Sequence, residues 1–127
     1  MNKEQALKER GHEKTEFEIM KKILVIHVNG ELDHHNSVFI RERADEIICG
    51  KRITNIIFDF GQTEFMDSSG IGVIMGRYKK VHSLGGAVGV INVKKNVEKI
   101  LLYSGLNKII RHYEDIKDAE MDMNGGE

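Results

Sequence analysis

NIIFDFGQTEFMDSSGIGVIMGRYKKVHSLGG, Asn55 to Gly86, passes from an apolar run to a helical period through a short polar joint. The residues NIIFDF read as a strand inside a sheet. After the loop GQTEFMD, residues Ile71, Ile74, Met75, Tyr78 and Val81 fall at i, i+3, i+4, i+7 and i+10. They predict one face of a helix, which Gly85 and Gly86 terminate. Strand, joint and helix make one βα unit, and the chain around it repeats the pattern.

Upstream, TEFEIM and ILVIHVNG read as two strands joined at Lys21 and Lys22, with Gly30 ending the second. Val38, Ile40, Ala44, Ile47 and Ile48 predict a helix capped by Asn36 and closed by Gly50. Downstream, AVGVINV is a fourth strand, and VEKILLYSGL a third helix with Val97, Ile100, Leu101 and Leu102 inward. KIIRHY is a short final strand before an acidic tail. The order ββαβαβαβ predicts an α/β fold: a mixed four- to five-stranded sheet with helices packed on it through right-handed crossovers. The expected divisions are a flexible charged extension over 1–14, one domain over 15–118 and a flexible tail over 119–127.

With 127 residues, 40% of them hydrophobic, the chain supports a single core of ordinary size. Charged residues reach 31% but sum to a net charge of -1, which leaves no basic excess for nucleic acid or an anionic membrane. Cys49 is the one cysteine, so an internal disulfide and a CxxC pair are both excluded, and a reduced compartment is expected. MNKEQALKERGHEK has no signal-type apolar core, and no run nears the roughly 18 apolar residues of a membrane span. The expected location is the cytoplasm.

The joint holds the chemistry. Gly70, Gly72 and Gly76 lie in the opening turns of the helix, where each costs about 1 kcal/mol relative to alanine. Close packing on the sheet is one explanation. The other is docking: Gly72 and Gly76, at i and i+4, share a face offset from the apolar stripe, and a bare stripe suits a partner. Ser68 and Ser69 stand at the helix start, where one of Asp67, Ser68 and Ser69 caps the free N–H groups. A second hydroxyl beside that positive end is well placed to carry a phosphate.

Catalysis fits poorly. No GxSxG elbow surrounds Ser68, and Asp67 beside it cannot replace a histidine base. Gly70, Gly72 and Gly76 read GxGxxxG rather than the GxGxxG of a dinucleotide loop, and AVGVINV carries no acid for a ribose. His34 and His35 beside Asp33 are adjacent residues that would rarely converge on one metal, and a solvated loop explains them. His12, His27, His82 and His112 are scattered, and Cys49 reads as a half-buried apolar filler. No enzyme activity, cofactor or metal is expected, although a nucleotide-binding or nucleotide-hydrolysing protein using the glycine joint is an alternative.

GELDHH (Gly30–His35), FMDSSGIGVIMGRYK (Phe65–Lys79) and NVEKILLYSGLNKIIR (Asn96–Arg111) together resemble the anti-sigma factor antagonists of the STAS domain family, and most of all their sporulation type. The similarity runs over residues 15 to 115, with separated motifs in the same order. It implies a binding switch. The first serine of DSSG, here Ser68, would be phosphorylated by an anti-sigma factor that is an ATP-using serine kinase, and a PP2C-type phosphatase would reverse it. The unphosphorylated form would capture that kinase and free the sigma factor. Asp67, Ser69, Gly70, Ile71 and Gly72 would line the docking surface with Asp33. The same switch in a general-stress pathway is the alternative within the fold.

Overall fold

The hairpin that opens the fold turns on Lys21, whose φ of 58° lies in the left-handed region, so β1 (Glu16–Met20) folds straight back on β2 (Ile23–Asn29). The computed structural model describes residues 15–125. The extension expected over 1–14 lies outside them. Beyond the hairpin come α1 (His34–Lys51), β3 (Asn55–Gln62), α2 (Ser68–His82), β4 (Val88–Ile91), α3 (Lys95–Tyr103), a 3-10 turn (Leu106–Lys108), β5 (Arg111–His112) and α4 (Ile116–Met123). The strands form one sheet in the order β1-β2-β3-β4-β5, antiparallel at β1–β2 and parallel from there on. Adding each strand beside the last by a crossover of one hand drops the connecting helices on the same face.

Alternation along the strands sorts the core accordingly. Leu24, Ile26 and Val28 of β2 and Ile56, Phe58 and Phe60 of β3 face the large cluster shared with α1, α2 and α3. Ile23, Val25, Ile57 and Ile91 face the other way. That second side is closed by α4, which replaces the flexible tail expected from residue 119. Ala119 is fully buried there, with Ile116 and Met123 beside it. Asp115 caps this helix by accepting the Asp118 N–H at 2.9 Å, and Asp122 ties it back to β5 through Arg111 at 2.9 Å and the Tyr113 hydroxyl. Ile116, Ala119 and Met123 stand at i, i+3 and i+7, a helical period that the acidic composition masks.

Other expectations shift as well. α1 starts two residues before Asn36, because Asp33 accepts the Asn36 N–H at 3.1 Å and is itself the cap. The helix also runs through Gly50 and ends at Arg52, whose φ is 55°. Its inward series is Ser37, Ile40, Ala44, Ile47 and Ile48, so Val38 faces solvent, as does Leu102 on α3. The final strand shrinks to Arg111 and His112, since Leu106 and Ile110 reach the core from an irregular turn instead.

The buried stripe of α2 is Gly70, Val73, Ile74, Arg77 and Val81. Arg77 is a charge among apolar neighbours, only 4% exposed. Its Nε lies 3.0 Å from Asp45 Oδ1 on α1, a contact that is coulombic, since neither atom makes a hydrogen bond. Burial pulls the guanidinium below its ordinary pKa, and Asp45 opposes that pull. Asp45→Ala strands a buried cation, so we expect a loss of about 2 kcal/mol, less than for a fully enclosed pair because Asp45 is partly solvated. Urea unfolding measures it, and Arg77→Met, which removes the charge and keeps the volume, should cost less.

Candidate functional site

Two helix starts lie side by side at the end of the sheet where β2 and β3 finish. Leu32 and Met66 pair as an isolated parallel bridge: the Leu32 N–H donates to Phe65 O at 3.1 Å and the Asp67 N–H to Leu32 O at 3.3 Å. One residue beyond that bridge on each strand stands an aspartate, and each caps a helix. Asp33 opens α1, and Asp67 opens α2 by accepting the Ser69 N–H at 2.9 Å. Of the three capping candidates at the joint, Asp67 performs the role, and Ser68 is left exposed as the first residue of the helix.

Gly70 belongs to the scaffold. It is buried, and a Cβ built on it would stand 2.4 Å from Leu32 O and 2.9 Å from Leu32 Cγ, so its bare Cα is what lets α2 lie against the α1 lead-in. Gly72 and Gly76 are different, since a Cβ on either would meet nothing within 4 Å. Close packing therefore explains Gly70 but neither Gly72 nor Gly76. Asp33, Asp67, Ser69 and Ile71 are half-buried, whereas Ser68 and Gly72 are exposed. Phe65, 48% exposed, adds an apolar side chain at this end that the sequence reading passed over. Its place in the loop just ahead of a capped helix was the available signal.

The other polar cluster lies on the second face of the sheet. His27 and Asp59 are the single titratable interruptions in two apolar strands, and the β2–β3 register sets them opposite each other. Their matched positions were legible in sequence, yet His27 read as scattered. His27 Nδ1 donates to Asp59 Oδ2 at 2.7 Å and Nε2 to Glu18 Oε1 at 2.9 Å. Asp59 Oδ1 accepts from the Gly61 N–H at 3.0 Å and from Asn92 Nδ2 at 2.9 Å. The Asp59 hydrogen bond, against the cost of burial and with help from Glu18, raises the imidazole to about 9. His27 likewise lowers Asp59 to about 2.

The two shifts set opposite limits on stability. For His27 the folded pKa exceeds the unfolded 6.5, so its contribution is complete below 6.5 and disappears as pH rises through 9. For Asp59 the folded pKa lies under 3.8, so its contribution is present above 3.8 and disappears as pH falls through 2. We expect maximal stability between those unfolded values. From pH 6.5 to 9 a decline of about 1–2 kcal/mol follows, discounted for an imidazole that is one third exposed. His27→Gln should flatten the alkaline decline in urea midpoints recorded across pH.

The STAS domain family model matches residues 14–119. The anti-sigma F factor antagonist of Paenibacillus polymyxa is 40% identical over 104 residues, 82% of this chain and 89% of that protein. The solved structure of the anti-sigma factor antagonist SpoIIAA in its unphosphorylated form superposes with a TM-score of 0.71 at 26% identity, over 89% of this chain and 99% of that one. The phosphorylated form of the Bacillus cell fate determinant SpoIIAA gives 0.69 at 28%, over 85% and 98%. The chain belongs to the STAS domain family.

Proposed function

We propose that this protein is an anti-anti-sigma factor, a regulatory binding protein rather than an enzyme, that acts in the cytoplasm. Its unphosphorylated form binds a serine-kinase anti-sigma factor and releases the sigma factor. Phosphorylation on Ser68 switches it off, and a PP2C-type phosphatase restores it, with ATP consumed by the kinase. The 40% identity to an anti-sigma F factor antagonist favours the sporulation branch.

The observation that carries the reading is the exposure of Ser68 as the first residue of α2 while Asp67 does the capping. The hydroxyl is free for modification without loss of the cap, and the helix end tolerates an anion. Asp33, Asp67, Ser69, Ile71 and Gly72 surround it as the docking surface, and Gly70 holds that surface in shape from beneath. Incubation with the cognate kinase and ATP, followed by peptide mapping with mass spectrometry, tests the site. Phosphate on Ser68 is the expected result; phosphate on Ser69, or none, overturns the assignment.

A further inference from the structure

The end of the sheet opposite Ser68 carries a groove of about 440 Å³, formed where the β1–β2 turn, the start of β3, the turn after α2 and the end of α4 meet. Its rim is basic. Lys21 and Lys22 line it, both exposed and without an ion-pair partner among the described residues. Leu84, 57% exposed, and Met123 supply an apolar wall, and among the described residues no carboxylate lines the cavity. The base is rigid: Lys22 O accepts the Thr54 N–H at 2.9 Å and the Asn55 N–H at 3.2 Å, which pins the lysine turn to β3.

We propose that this groove docks an acidic linear segment of a partner protein, with an aliphatic side chain against Leu84 and Met123 and flanking carboxylates on Lys21 and Lys22. Charge complementarity selects the occupant. A donor rim with no acid among its described lining residues favours carboxylates, and the apolar wall rewards a side chain that nucleic acid does not offer. A net charge of -1 also disfavours an extended polyanion. The eight residues of β3 separate the groove from Ser68 by roughly 25 Å, so both ends can be occupied together.

Titration of the ¹⁵N-labelled full chain with a short synthetic peptide, leucines flanked by glutamates, tests the proposal by two-dimensional NMR. Shifts should cluster at Lys21, Lys22, Thr54 and Leu84 and weaken with added salt. Lys21→Gln with Lys22→Gln should lower affinity about fivefold, and Leu84→Ala by a similar factor. The spectra themselves report whether each variant is folded, and Ser68→Asp should leave this binding unchanged. The proposal is overturned by shifts at the Ser68 end, by none at millimolar peptide, or by equal binding of a peptide with lysines in place of the acids. Displacement of the peptide by single-stranded DNA or phosphatidylglycerol vesicles that hold the same lysines more tightly also overturns it.

Discussion

Phosphorylation of Ser68 is expected to weaken binding of the anti-sigma factor by about a hundredfold or more while leaving the fold as stable as before. The phosphate adds about -1.5 to -2 charges at neutral pH. Within its own molecule it sits at the first residue of α2, where the helix dipole favours an anion by about 0.3–1 kcal/mol. Beside it on the same surface stand Asp67 and, one strand over, Asp33, each the cap of a helix. Solvent screens these like charges in the free protein, whereas docking would dehydrate them together at a cost of several kcal/mol, so the penalty falls on binding and not on the fold. Titration calorimetry with the purified anti-sigma factor, beside urea unfolding, separates the two. Ser68→Ala should keep both affinity and stability. Ser68→Asp, with one charge on a shorter arm, should lose about tenfold. Equal affinities for the bare and modified proteins, or a modified protein that unfolds more easily, would end the charge mechanism.

The succession of strands and helices and the βα joints were open to reading because β2, β3 and β4 are largely apolar runs and α1 to α3 repeat near 3.6, signals that need no knowledge of neighbours. The starts of β2 and β3 and the start of α2 follow from that pattern. What stayed hidden depended on long-range pairing. Asp33 displaces Asn36 as a cap because the Leu32–Met66 bridge anchors the residue just before it. Arg77 could be spotted only as a charge in a buried stripe, and its partner Asp45 sits on another helix. α4 went unread because four acids in DIKDAEMDM dominate its composition, although its inward residues are correctly spaced. Around Ser68, the residue types at the joint were legible, but their division into scaffold and surface was not. Gly70 and Gly72 look alike in a string of letters and are told apart only by what lies above each Cα.

That difference has opposite consequences for the same substitution. Gly70→Ala places a methyl 2.4 Å from a backbone carbonyl and 2.9 Å from Leu32 Cγ. The carbonyl cannot swing aside, because Leu32 O accepts the Asp67 N–H in the bridge that aligns the two helix starts. Relief therefore requires α2 to lift from the α1 lead-in. We expect a loss of about 3 kcal/mol, the upper part of the range for overpacking, offset by less than 1 from helix propensity. Docking should fall with it, since the bridge positions Asp33 beside Asp67. Gly72→Ala meets open space, so only propensity acts, and the protein should gain about 0.5–1 kcal/mol. Its new methyl points outward, onto the surface proposed to receive the partner. The variant should then be more stable and bind less well, by about tenfold if the contact is close-packed. Urea midpoints and calorimetric affinities for the two variants decide the matter together. A stable Gly70→Ala protein would show the helices less tightly joined than the contact at Leu32 implies, and unchanged binding by Gly72→Ala would move the partner off this face of α2.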